Sequence, residues 1–179
     1  MTGPVPQNHE HEALFKCWLA QHSGLVFKVA RAFSRSDADR ADLVQDILVQ
    51  LWLSLPRFEG KSRVSTWIYR VALNTALAWR RSETKRHATH AMEFCIEELP
   101  APPDDALAAE REETVARLYA AIRQLPEAEA ALVLLHLDDL SYREMAAVLG
   151  ISESNVGVRL HRARKSLGQL MKENAYEPR

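Results

Sequence analysis

Apolar positions recur at helical spacing along most of the chain, and no stretch keeps the two-residue alternation of a half-buried strand. The pattern predicts helices near 9–20, 23–35, 38–55 and 65–86, then 106–124, 127–137, 141–149 and 152–171, with Pro56 and Pro126 as breaks or starts. Residues 91–113, AMEFCIEELPAPPDDALAAEREE, interrupt this rhythm with eight acidic residues, one basic residue and three prolines. A proline cluster cannot continue a helix, and like charges favour extension. The expected fold class is therefore all-α: two small helical domains, 8–88 and 108–173, joined by an acidic proline-containing linker at 89–107. Each domain would be a bundle of about four helices, and bundles of that size hold marginal cores. No internal repeat is evident.

Three helices carry more than a core face. In 38–55, Val44, Ile47, Leu48, Leu51 and Leu55 line one side, while Val49, Trp52 and Leu53 sit on another beside Asp42, Gln45 and Asp46. A helix apolar nearly all round is either buried or covered by a partner. A wholly buried helix is hard to arrange in a unit this small, so the second stripe reads as a protein-docking surface, with a core role as the competing reading. In 66–81, Ile68, Val71, Thr75, Ala78 and Trp79 turn one way, and Trp67, Arg70, Asn74 and Arg81 fall on a neighbouring strip. Aromatics and arginines on one strip can stack on and neutralise an unpaired nucleic-acid strand. The competing reading places Trp67 in the core and leaves the arginines solvated.

The third is the stretch from Ser141 to Leu167. Ser141 and Glu144 have the spacing of a capping box, Met145, Val148 and Leu149 supply a buried side, Gly150 is the hinge and Ser152 can cap the next helix. Winding that helix places Val156, Leu160, Ala163 and Leu167 on one stripe and turns Ser154, Asn155, Val158, His161, Arg162 and Lys165 away from it. Two capped helices joined by a short Gly-containing turn form a helix-turn-helix, and the outward stripe holds side chains that pair with guanine, adenine or phosphate and a methyl that suits thymine.

Charge sharpens this picture. The net charge is −1, but residues 57–86 hold eight Lys/Arg against two Glu, and residues 141–172 hold six against two. The remaining chain must then carry −11, so two basic patches stand in an otherwise acidic protein and suggest two contacts with a polyanion. No apolar run approaches the roughly 20 residues that span a bilayer, and the opening MTGPVPQNHEHEAL lacks the form of a secretory signal. With two widely separated cysteines, Cys17 and Cys95, a cytoplasmic protein with reduced thiols is expected. His9, His11, Cys17 and His22 match no zinc spacing, so no metal is expected. Without a Gly-rich phosphate loop, a ligand cluster or a nucleophile beside a base, the chain is expected not to be an enzyme and to need no cofactor or small-molecule substrate.

DLVQDILVQLW (42–52), Phe58 followed by STWIYRVALN (65–74), the pair at 80–81, the acidic segment and LPEAEAALVLLHLDDLSYREMAAVLGISESNVGVRLHRARKSL (125–167) stand in an order that resembles the extracytoplasmic-function (ECF) bacterial sigma factors of the sigma-70 family. The resemblance covers nearly the whole chain. It implies partners: core RNA polymerase (clamp coiled coil and flap), promoter DNA, and an anti-sigma factor, often a membrane protein, without membrane insertion of the chain itself. It also implies roles. Asp42, Leu43, Gln45, Asp46, Val49, Trp52 and Leu53, with Val44 and Leu51, would dock on the clamp. Phe58, Lys61 and Ser62, with Gly60, resemble the loop that holds a flipped base of the minus-ten element, and Trp67, Tyr69, Arg70, Asn74 and Arg81 lie where the opened strand runs. Ser154, Asn155, Val158, Arg159, His161, Arg162, Arg164 and Lys165 would face the minus-35 element, with the arginines suited to phosphate anchoring as well as base reading. The linker resembles the acidic segment that threads toward the polymerase active-site channel. Where many members have Thr-Val, a basic residue and Ser-Arg, this chain has Asn155, Val156, Gly157, Val158 and Arg159. The alternative function is a stand-alone helix-turn-helix regulator with an N-terminal sensor domain.

Overall fold

A computed structural model describes residues 6–87 and 106–176, so the body of the expected linker, with Cys95, lies outside the described residues. Seven α-helices and one 3-10 turn make up the described chain: α1 (Pro6–Phe33), α2 (Asp37–Ser54), the turn Leu55–Arg57, α3 (Val64–His87), α4 (Ala106–Gln124), α5 (Glu127–Leu137), α6 (Tyr142–Leu149) and α7 (Glu153–Tyr176). The two helices expected at 9–20 and 23–35 are one helix of 28 residues. Gly24 costs about 1 kcal/mol relative to Ala in a helix interior, but the buried stripe of Trp18, Val26, Val29, Ala30 and Phe33 keeps its spacing across it. The first half therefore has three α-helices, not four.

Helix α2 starts at a capping box in which the Asp39 amide donates to Ser36 Oγ at 3.1 Å and the Ser36 amide donates to Asp39 Oδ2 at 3.1 Å. Its buried line is Leu43, Ile47 and Leu51, continued by Leu55, while Val44 and Leu48 lie half-buried at its margin. The core face is thus turned by one residue from the expected one. Helix α3 is turned similarly: Ile68, Tyr69, Ala72, Leu73 and Ala76 are buried, whereas Val71, Thr75 and Trp79 are half-buried and Ala78 is exposed. The reason is that α3 is covered on two sides, by α1 and α2 and by α6 of the second half.

In the second half α5 is the central element, with Ala130 to Leu135 all buried. Asp139, with φ 56°, turns the chain out of it in a left-handed conformation that aspartate tolerates better than most residues. Helix α6 opens on the expected capping box, the Glu144 amide donating to Ser141 Oγ at 3.3 Å and the Ser141 amide to Glu144 Oε2 at 2.9 Å. It closes at Gly150, whose φ of 67° favours a residue without a β-carbon. Ser152 Oγ then accepts the Asn155 amide at 3.3 Å and caps α7.

The halves share one continuous core. Asp138 accepts a hydrogen bond from the Tyr69 hydroxyl and pairs with Lys28. Arg63 Nη1 meets Glu144 Oε1 at 3.0 Å, Arg80 Nη2 donates to the Arg123 carbonyl at 3.2 Å, and the Arg31 guanidinium lies 4.7 Å from the centre of the Tyr119 ring.

Candidate polymerase and nucleic-acid interfaces

The outer side of α2 combines acid with exposed apolar surface. Val49 and Leu53 are 52% and 60% exposed, and Asp42, Gln45 and Asp46 point to solvent around them. Trp52 is half-buried, its ring edge-on to Phe15 at 5.3 Å. Leu43 does not belong to this surface: it is 0% exposed and packs α2 onto the core. The surface is therefore Asp42, Gln45, Asp46, Val49 and Leu53, with Trp52 at its rim.

The candidate strand-binding residues divide into three groups. Phe58 and Trp67 form an aromatic cluster with Trp18, with centroid separations of 5.0 Å (Trp18 to Phe58), 5.5 Å (Trp18 to Trp67) and 5.3 Å (Phe58 to Trp67). Trp67 is half-buried, packed against Trp18 and Phe58. Trp18 is the member that sequence reasoning missed; its place on the apolar stripe of α1 was the available signal. Lys61 and Ser62 are exposed on the loop before α3, where Gly60 takes φ 70° and Lys61 pairs with Glu59. Arg70, Asn74 and Arg81 are exposed along α3, and Arg81 Nε donates to the Leu77 carbonyl at 3.0 Å. Tyr69 departs from this group. It is 1% exposed and its hydroxyl is bound to Asp138, so in this arrangement it faces the second half and not solvent.

Helix α7 matches its expected orientation. Val156, Leu160 and Ala163 are buried and Leu167 is half-buried, while Ser154, Val158, Arg159, His161, Arg162, Arg164 and Lys165 are exposed and Asn155 is half-exposed. Five of these carry positive charge or an imidazole: His161, Arg162 and Lys165 lie opposite the buried stripe, and Arg159 and Arg164 flank it on either side. Glu144 of α6 has its carboxyl held below the usual carboxylate range by the Ser141 amide, then by the Ser141 hydroxyl and more weakly by Arg63, against a small opposing effect of burial. A cleft of about 210 Å³ runs between the halves, lined among others by Leu77 and Arg81 of α3, Leu132 and Leu149, and Arg159 of α7.

Residues 18–86 match the model of sigma-70 region 2, and residues 116–167 match that of sigma-70, region 4. The ECF RNA polymerase sigma-E factor of Escherichia coli K12 is 33% identical over 153 residues, an alignment covering 78% of each chain. The chain belongs to the ECF sigma factors of the sigma-70 family. RNA polymerase sigma factor YlaC of Bacillus subtilis is 31% identical over 141 residues, covering 77% of this sigma factor and 80% of YlaC. Among solved structures, CnrH in complex with the cytosolic domain of CnrY superposes with a TM-score of 0.64 at 25% identity, over 90% of both chains. Sigma factor RpoE in complex with the anti-sigma factor NepR from Bartonella quintana gives a TM-score of 0.70 at 22% identity, over 88% of this chain and 96% of that one, a likeness of fold. The region 2 match accounts for the half that a stand-alone regulator would use as a sensor, so that alternative loses its basis. Among the described residues, no helix is long and apolar enough to cross a membrane.

Proposed function

We propose that this sigma factor acts in the cytoplasm, joining core RNA polymerase through the acidic and apolar outer side of α2 and directing it to promoters with two separate DNA-binding surfaces. The observation that carries this reading is the pair Val49 and Leu53, more than half exposed within an acid-rimmed strip on a helix whose opposite side is fully committed to the core. Exposed apolar surface of that kind is stabilised by a partner. The first domain, 8–88, would trap an unpaired base of the minus-ten element near Phe58, Lys61 and Ser62, with Trp67, Arg70, Asn74 and Arg81 along the opened strand. Extruding a base costs a few kcal/mol, and stacking on an aromatic returns about 1 to 3 kcal/mol per base. The second domain, 108–173, would lay α7 against the minus-35 element, with Arg159, Arg162, Arg164 and Lys165 neutralising phosphates and Asn155 and Val158 nearest the base edges. CnrH and RpoE are each solved with a protein partner; an anti-sigma factor is proposed for this chain too. The mechanism is binding and trapping, without covalent chemistry.

The test is run-off transcription from a genomic promoter library with purified core polymerase, with and without this protein, followed by sequencing of transcript ends. New starts at fixed positions only in its presence are expected. No new starts, together with tight duplex binding by the free protein, would overturn the reading.

A further inference from the structure

Three residues at the start of the helix-turn-helix are poorly explained by folding alone. Gly157 stands half-buried inside α7, where glycine is the least favourable residue after proline. Val158 follows it and is 54% exposed, so its apolar side chain gains little from burial and its branched β-carbon disfavours the helix. Tyr142, the first residue of α6, is 47% exposed, and its ring edge lies against the bare backbone of Gly157. A β-carbon at 157 would meet the ring Cε2 at 3.5 Å and Cδ2 at 4.0 Å. The ring of Tyr142 and the methyls of Val158 are thus separated only by a residue without a side chain, and together they make an exposed apolar surface.

That surface is continuous with the outward stripe of α7. In a helix-turn-helix the N-terminal residues of the second helix meet base edges while the first helix crosses the backbone, so residues 154–158 are the ones set at the bases. What they offer is selective. Guanine is read by a bidentate arginine or lysine, and neither stands among them. The cations Arg162 and Lys165 come later along the helix, where they suit phosphates. Asn155 suits the edge of adenine, and an apolar side chain suits the 5-methyl group of thymine. Both preferences select an A·T pair.

We propose that Tyr142 and Val158, joined across Gly157, form a single apolar reader that takes the 5-methyl group of a thymine in the minus-35 element, so that promoter choice by this sigma factor depends on that methyl. This rests on the minus-35 role proposed above for α7. It adds Tyr142, a residue of the first helix of the motif, to the specificity-determining set, and it gives Gly157 a purpose: the missing side chain lets the ring of α6 and the methyls of α7 present one face to the groove. A thymine differs from a uracil in the major groove only by this methyl, so the reader distinguishes two bases whose hydrogen-bonding groups are identical.

The test uses the full chain bound to core polymerase and a promoter recovered from the run-off transcription library. Thymines of its minus-35 element are replaced one at a time by deoxyuridine, and binding is measured by competition against the unmodified duplex. At one or two positions the affinity of the wild type should fall about fourfold, the size expected for losing one buried methyl-sized group. At those positions a C·G pair should bind more weakly still, and 5-methylcytosine in place of cytosine should regain about the same factor. Val158→Ser should bind thymine and uracil duplexes alike. Tyr142→Ala should narrow the gap, whereas Tyr142→Phe, which keeps the ring and drops the hydroxyl, should preserve it. The wild-type comparison changes only the DNA, so the folding of a variant does not enter it. A wild type indifferent to every deoxyuridine overturns the proposal, as does a minus-35 element without an A·T pair, or a gap that survives both Val158→Ser and Tyr142→Ala. Protein-dependent starts combined with such indifference leave the promoter roles standing and remove the methyl reader alone; an absence of starts removes both.

Discussion

Gly157 lies beneath the ring of Tyr142, so that a β-carbon at position 157 would meet the ring Cε2 at 3.5 Å. That is ordinary van der Waals distance, so a methyl fits without displacing the ring. Glycine inside a helix costs about 1 kcal/mol relative to alanine, and Gly157→Ala should therefore stabilise the protein by about that amount. Thermal unfolding should show a midpoint about 2 to 4 °C higher. An unchanged or lower midpoint would mean that Tyr142 needs the open space.

The capping box of α6 gives a prediction with a sign in pH. Ser141→Ala removes the acceptor for the Glu144 amide and should cost about 1 kcal/mol. The folded Glu144 carboxyl titrates below its unfolded value. Its contribution is therefore complete above the unfolded value of about 4.3 and fades as pH falls through the lower folded one. Denaturant midpoints of wild type and Glu144→Gln should differ at neutral pH and converge in acid. A gap that persists at pH 3 would show that the charge is not what Glu144 supplies.

Neighbouring residues of α2 should separate docking from folding. Val49→Asp with Leu53→Asp leaves the core untouched and should abolish co-purification with core polymerase while helix content and unfolding temperature stay near wild type. Leu43→Ala, by contrast, empties a fully buried position and should cost about 2 to 5 kcal/mol. Retention of polymerase by the double variant would move the docking surface elsewhere.

On α7, Arg162→Ala should weaken binding to minus-35 duplexes of any sequence by a similar factor and lower the salt dependence by about one charge, as loss of a phosphate contact does. A loss confined to one sequence would instead make Arg162 a base reader. Asn74→Ala on α3 should leave polymerase binding intact and impair promoter opening, read by permanganate footprints of the melted bases. Normal footprints would remove Asn74 from the strand-binding group.

Local signals were legible and long-range ones were not. The spacing of Ser141 and Glu144, the hinge at Gly150 and the stripe of Val156, Leu160 and Ala163 each follow from residues within two helical turns, and the structure reproduces all of them. The rotated faces of α2 and α3 follow from what packs against them, which no local period encodes. Tyr69 is the sharpest case: its position in α3 suited a strand contact, but it is buried in the core and its hydroxyl is taken up by an aspartate 69 positions away in a loop. Leu43 was assigned to a docking motif by resemblance, and a motif marks positions without distinguishing the side chain that touches the partner from the one that anchors the helix.

Lys28 and Asp138, which meet across the seam, are 110 residues apart in the chain. At a synthesis rate of about 5 to 20 residues per second, the first emerges from the ribosome roughly 5 to 20 seconds before the second. The helices of the first half, built on nearby contacts, form far faster than that. Every newly made molecule thus begins life with the hydroxyl of Tyr69 facing water, and the seam closes only after Asp138 has emerged as well.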